Sequence, residues 1–303
     1  MSNGIIANLD ELIALRRYVK HVTYAPKPHA LRAGTHLSKL RGRGMDFTEV
    51  RNYQSGDEIR HMDWRVTART GRPHVKLFQE ERERPAMLLV DFSPSMFFGT
   101  RIALKSVIAA QVAALIAWTV VAQDDRVGGL IIAADKHHEL PPRARSAGVL
   151  PLLALMCDYT RQKPSYALSA RPLSQELLRL RRVAKPGNMI ILISDFYGFD
   201  QQCEQHLNRL RMHNDIVAYH ICDPLELAPP KPQQYAISDG ENELLLDMTD
   251  KTVVREYQQY VGNQLAQLKE QLKQLQIQYV QVTPDMDLPL LIRRTYPRRM
   301  ANA

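Results

Sequence analysis

The sequence predicts a doubly wound α/β fold: a mostly parallel sheet, preceded by an N-terminal helix and an irregular β-containing extension. Three observations carry that expectation. From Pro85 to about residue 290, apolar runs alternate with helical stretches of ten or more residues. Those runs are apolar at successive positions, as in strands buried on both faces of a parallel sheet. Residues 1–84 differ in texture, being rich in Arg, Gly and turn residues. The expected organisation is therefore a helix and basic extension over 1–84 and an α/β domain over 85–303.

In chain order, residues 8–20 form an amphipathic helix opened near Asn8 or Asp10. After the "TGRP" turn, "HVKLFQEE" reads as a short β piece. Ala86–Val90 is the first buried strand, Arg101–Gln123 a helix, Arg126–Ala134 a second strand, with a short edge strand near His137–Leu140. Gly148–Tyr159 and Leu173–Val183 are helical. "NMIILIS", 188–194, is an uninterrupted apolar strand ending at Asp195, followed by a helix at Gln201–Met212 and a buried strand at Asp215–Ile221. "APPKPQQ" is a stiff connector. "YAISDGENELLLD" is a hairpin, because Asp239-Gly240 supplies the positive-φ residues of a tight turn. Thr249 or Asp250 caps a long polar helix to about Leu275. A strand at Gln278–Val282 and a short helix through Leu291 complete the order.

Apolar residues at 45% and charged residues at 24% over 303 positions describe a globular chain with ample core material. The net charge of +8 is uneven: residues 1–85 hold 16 Lys and Arg against 10 Asp and Glu, a surplus of 6. That segment suits an acidic partner, or is simply a solvated basic face. Cys157, Cys203 and Cys222 are far apart and in no CxxC spacing, which reads as reduced thiols in a cytoplasmic protein. The N-terminus lacks the apolar stretch of a signal peptide. "SVIAAQVAALIAWTVVAQ", Ser106 to Gln123, reaches the length of a membrane span. Its alanines, its Gln111 and its place between two strands instead mark a helix buried against a sheet, so no membrane span is expected.

The chemistry concentrates in "LLVDFSPSM", where an apolar strand delivers Asp91, Ser93 and Ser95. Helix capping uses one such side chain. A phosphoryl-transfer aspartate needs a second carboxylate two residues on, where Ser93 stands. A hard divalent cation uses every residue: hydroxyls of Ser93 and Ser95 as direct ligands, Asp91 and Asp195 holding waters and supplying charge. In parallel sheets ligands sit beyond the carboxyl ends of the strands, where strand order reverses, and both aspartates end apolar strands.

Asp91-x-Ser93-x-Ser95, with Ser194-Asp195-Phe196 after a later strand, resembles the metal-ion-dependent adhesion site of von Willebrand factor type A domains. "RGRGMDFTEVRNYQSGDEIRHMDWRVTAR" resembles the N-terminal signature of the domain of unknown function 58 family. Arg41, Gly42, Gly44, Phe47, Arg51, Tyr53, Gly56, Asp57, Arg60, Asp63, Trp64, Ala68 and Arg69 match it, and "VKLFQEERERPAMLLVDFSPSMFFG" continues the likeness. The resemblance implies a type A domain with an elaborated N-terminal segment. It also implies Mg²⁺ or Mn²⁺ as cofactor, and a non-enzymatic role beside a MoxR-type AAA+ ATPase in assembling or maturing protein complexes. One departure stands out: the adhesion site includes a Thr from a second loop, and "RQKPSYALSARPLSQELL" has none. Ser165, Ser169 or Ser174 are the substitutes, with Ser169 the choice; without one the ion is held loosely or only with a partner.

Within the signature, Gly56, Asp57 and Trp64 suit a turn and packing role. Arg51, Arg60, Arg65 and Arg69 suit either ion pairing or docking of carboxylates. "RGRG" fits neither a Walker loop nor a dinucleotide fingerprint, and the histidines form no HExxH. The resulting expectation is a cytoplasmic, non-enzymatic module whose metal recruits a partner's carboxylate. The alternatives are a nucleic-acid-binding protein, against which the scatter of Phe47, Tyr53 and Trp64 argues, and a Mg²⁺-dependent phosphohydrolase.

Overall fold

The computed structural model describes residues 4–19, 45–80, 84–162, 172–238 and 243–296. The chain divides into two compact units, one of residues 28–83 and the other of residues 1–27 with 84–303. The first helix therefore belongs with the α/β unit, where the sequence grouped it with the extension.

In the extension, β1 (Met45–Asn52) pairs antiparallel with β2 (His74–Glu80). Between them, Gly56 at φ 107° makes the turn and α2 (Trp64–Thr70) follows. Asp63 caps α2 by accepting from the amides of Arg65 and Val66 at 3.1 Å, and Gly71 ends it at φ 71°, the left-handed position where glycine has no Cβ penalty.

The α/β unit begins with α1 (Leu9–Ala14), capped by Asn8, whose side chain accepts from the Asp10 amide at 2.9 Å. Then come β3 (Ala86–Phe92), α3 (Lys105–Val121), β4 (Arg126–Ala133), β5 (His137–Ala144), α4 (Ser146–Arg161), α5 (Leu173–Val183), β6 (Met189–Ser194), α6 (Gln201–Arg211) and β7 (Asp215–Ile221). After a hairpin of β8 (Gln234–Ser238) and β9 (Glu243–Asp247), α7 (Lys251–Gln274), β10 (Gln278–Val282) and α8 (Leu288–Thr295) close the order. The hairpin's expected Asp239-Gly240 turn lies outside the described residues.

Six strands form one sheet in the order β10-β7-β6-β3-β4-β5, parallel except for β5, which runs antiparallel on β4 at the edge. Pro141 and Pro142 sit on that edge strand, where a missing N–H costs no central ladder bond. Successive residues of β3 enter opposite cores. Leu88, Val90 and Phe92 pack with α1, α3, α4 and α8, whereas Met87 and Leu89 pack with α5, α6 and α7. Burial on both faces explains the unbroken apolar runs, each such side chain contributing about 1.5–3 kcal/mol.

The 17-residue helix α3 is buried at nearly every position, Gln111 being partly exposed. Among the described residues no helix is long and apolar enough to cross a membrane. The three cysteines are buried free thiols, in α4, in α6 and just past β7, and burial pushes the Cys203 thiol up to about 12.

Candidate functional site

The connections out of β3 reverse the strand order: β4 lies on one side of it and β6 on the other. That switch point leaves a crevice beyond the carboxyl ends of the two strands. Val90 stands opposite Ile193 in the β3–β6 register, so the next residues, Asp91 and Ser194, arrive side by side. Ser194 Oγ donates to Asp91 Oδ2 at 2.6 Å, and the Ser93 amide donates to Asp91 Oδ1 at 2.8 Å. Ser93 Oγ and Ser95 Oγ lie 3.1 Å apart. Met96, fully buried, holds the short 3₁₀ turn at Pro94–Phe97 against the core.

Asp195 leaves β6 one residue later. Phe196 takes φ 54°, unusual for a bulky residue, and its buried ring packs edge-on against Phe199 and His220. The sharp turn brings the Tyr197 amide onto Asp195 Oδ1 at 3.0 Å.

A cavity of about 290 Å³ opens over this edge, lined by Asp91, Ser93, Ser95, Glu176 and Tyr197 among others. Glu176, in the first turn of α5, is 2% exposed; its Oε2 lies 3.6 Å from Arg179 Nε. No local pattern marks this carboxylate, because it lies on a separate helix far in sequence from either motif.

A second residue was also missed. Lys105, first in α3, donates from Nζ to Asp195 Oδ2 at 2.9 Å and to Glu226 Oε1 at 2.5 Å, with a side chain only 1% exposed. Glu226 Oε2 accepts from the Asp223 amide at 2.8 Å, and Asp223 accepts from the Leu225 amide at 2.9 Å, a capping box at the turn after β7. Asp223 also takes the Thr100 amide at 2.9 Å and the Thr100 hydroxyl at 2.7 Å.

These contacts split the two strand-end aspartates electrically. Burial and then the neighbouring Asp195 charge push the Asp91 carboxyl up to about 6, against the bonds from Ser194 and Ser93. Burial also opposes ionisation of Asp195, but the Lys105 ammonium, by charge and hydrogen bond, holds its carboxyl below the ordinary value. Lys105 responds in kind: burial opposes its charge, yet Asp195 and Glu226 raise it above the usual lysine value.

The chemistry of the donor set fits a hard cation. Two adjacent hydroxyls and a carboxylate behind them face one cavity, and oxygen ligands with room for water suit Mg²⁺ or Mn²⁺. Among the described residues no three His, Cys, Asp or Glu side chains gather to hold a metal, so an ion here would draw on Ser93 and Ser95. Of the remaining candidates, Ser169 and Ser165 lie outside the described residues. Ser174 is buried in α5.

The signature residues of the extension divide by role. Arg51 grips Asp57 with both guanidinium nitrogens at 2.8 and 2.7 Å, and the Gln54 amide closes the turn on Asp57 at 2.8 Å. The Arg51 bond, then that amide, hold the Asp57 carboxyl below its usual value. The Tyr53 amide donates to Pro73 O at 2.8 Å, and the Asp63 cap lies 3.6 Å from Lys76 Nζ. Arg51, Tyr53, Gly56, Asp57 and Asp63 thus shape the unit. Arg60, Trp64, Arg65 and Arg69 are exposed, Trp64 at 66%.

This chain is similar to several known proteins. The uncharacterized protein Rv1480 of Mycobacterium tuberculosis and the uncharacterized protein Mb1516 of Mycobacterium bovis are each 28% identical over 247 residues, 82% of this chain and 77% of theirs. Similar solved structures include the conserved hypothetical protein BatB of Bacteroides thetaiotaomicron, at 13% identity over 70% of this chain and 96% of that one, TM-score 0.43. An aerotolerance-related membrane protein of Bacteroides fragilis matches at 12% identity over 70% and 98%, TM-score 0.44. The SpRpn10 VWA domain matches at 12% identity over 73% and 100%, TM-score 0.38. The family described as "Protein of unknown function DUF58" matches residues 49–267, from β1 of the extension into α7 of the α/β unit, and the chain belongs to it.

Proposed function

We propose that this protein is a non-enzymatic interaction module of the von Willebrand factor type A kind. Its switch-point site takes Mg²⁺ or Mn²⁺ and, through the ion, a carboxylate of a protein partner. The observation that carries the reading is the Ser93–Ser95 hydroxyl pair, 3.1 Å apart, with Asp91 behind it at the mouth of the shared cavity. Neutral direct ligands leave a bound ion electron-poor, and an ion that prefers oxygen then accepts an incoming carboxylate. Position 93 offers no acid–base group for phosphoryl chemistry, which supports binding over turnover. The exposed Arg60, Arg65 and Arg69 favour an acidic partner. The partner class that the family resemblance implies is a MoxR-type AAA+ ATPase.

Titration calorimetry of metal-stripped protein with Mg²⁺ and Mn²⁺ tests the reading, wild type beside Ser93→Ala/Ser95→Ala. Saturable binding in wild type that disappears in the double variant is the expected result. No binding of either ion to wild type, or equal binding to the variant, overturns it.

A further inference from the structure

Lys105 is the least expected group in the α/β unit: a buried ammonium at the head of a helix that is otherwise uncharged from Ser106 to Val121. Its nearest partners are fully engaged. Asp195 gives one oxygen to Lys105 and the other to the Tyr197 amide. Glu226 gives one to Lys105 and the other to the Asp223 amide. The Phe98 ring closes one side, its centroid 5.9 Å from Nζ. Thr100 and the capping box at Asp223 fix the loop that carries Glu226, so the ammonium is held by two elements that meet only in the fold.

Asp195 is one of the carboxylates on which the proposed divalent ion depends, and its charge is already balanced from within the chain. Two cations served by one carboxylate that is itself 5% exposed repel each other, because a buried group is screened less than one in open water. The helix does not relieve this, since Lys105 occupies the positive N-terminal end of α3.

We propose that Lys105 is a tethered counter-ion that competes with the divalent cation for Asp195 and keeps the metal affinity of the site low. The inference rests on the reading of Asp91, Ser93 and Ser95 as a cation site, and it explains how the buried carboxylates are tolerated when no ion is bound. Removing the ammonium should make the divalent ion bind more tightly. It should also make folding depend on that ion, because Asp195 would otherwise be a buried charge without a counter-ion.

The test compares wild type with Lys105→Met and with Lys105→Met/Glu226→Gln. The double variant removes one carboxylate together with the ammonium, so it keeps the charge balance and guards against failure to fold. Mg²⁺ binding is read by calorimetry, and the thermal midpoint is read with Mg²⁺ and with EDTA. The expected result is affinity roughly tenfold or more above wild type in the variants, from the repulsion removed. A thermal midpoint that rises with Mg²⁺ far more than in wild type should accompany it, and both effects should vanish on adding Ser93→Ala/Ser95→Ala. Equal or weaker binding in the variants, with wild type still binding, overturns the role of Lys105 and leaves the metal reading standing. Binding by none of the three proteins overturns both. Tight binding by the variants alone supports Lys105 as the antagonist and overturns the reading of the wild-type protein as a metal-dependent module.

Discussion

Ser194 Oγ donates to Asp91 Oδ2 at 2.6 Å, joining the ends of the two parallel strands between which the strand order reverses. Despite that bond, burial raises the Asp91 carboxyl to about 6 from 3.8. In the metal-free protein the folded state therefore holds this proton over a range where the unfolded chain has released it. The stabilisation is complete below about pH 4 and is lost as pH rises to about 6, amounting to about 3 kcal/mol at most. Asp91→Asn retains an acceptor for the Ser93 amide and does not ionise. Its stability relative to wild type in EDTA should climb between pH 4 and 6 and level off above. Urea midpoints across that range check this, and a pH-independent difference contradicts it.

The Thr100–Asp223 clasp should be energetically coupled. Asp223 is fully buried and accepts from both the amide and the hydroxyl of Thr100. Thr100→Val removes one donor from a buried acceptor and should cost about 1–3 kcal/mol. Asp223→Ala also undoes the turn that presents Glu226 to Lys105, and should cost more. The two losses should sum to more than the double variant loses, since both act on one interaction. Urea denaturation of the four proteins gives the coupling directly.

The strands were legible because burial on both faces leaves an apolar signature that only the switch from strand to helix interrupts. Helix starts were less legible where tertiary bonds decide them. The sequence pattern opened α3 near Arg101, but the Leu104 amide bonds Gly4 O at 2.7 Å and Thr100 is held by Asp223, so the helix begins at Lys105. Asp91, Ser93, Ser95 and Asp195 could be found because their spacing is local. Lys105, Glu176 and Glu226 reach the same edge from other elements, and no local pattern marks them. The one available signal was Lys105 itself, a lone charge at the head of a helix too apolar to face water.

Two glycines should respond oppositely to alanine. A Cβ on Gly128 would stand 2.4 Å from Leu140 O and 2.6 Å from Pro142 N, backbone atoms of the edge strand that cannot step aside. Gly128→Ala should cost about 1–3 kcal/mol or more, as overpacking does. Gly262, exposed within α7, has nothing within 4 Å of that position. Gly262→Ala should stabilise by about 0.5–1 kcal/mol through helix propensity. Thermal melts of both variants decide the matter by sign alone.

The attachment of α1 to the α/β unit depends on Trp118, whose Nε1 donates to Leu12 O at 3.0 Å and whose indole lies 5.4 Å under the Arg16 guanidinium. Leu12 is itself buried, and α1 packs against α3 and α4. Trp118→Phe keeps an aromatic ring in α3 but removes the donor, leaving a buried carbonyl at the end of α1 with one partner fewer. The cost should be about 1–2 kcal/mol, and it should fall unevenly. Opening of α1 is a local event, whereas β3 and β6 exchange only when the whole sheet opens. Amide exchange in Trp118→Phe should therefore accelerate over residues 9–18 more than in β3 or β6. Uniform acceleration would mean that Trp118 supports the core as a whole and that α1 does not depend on it.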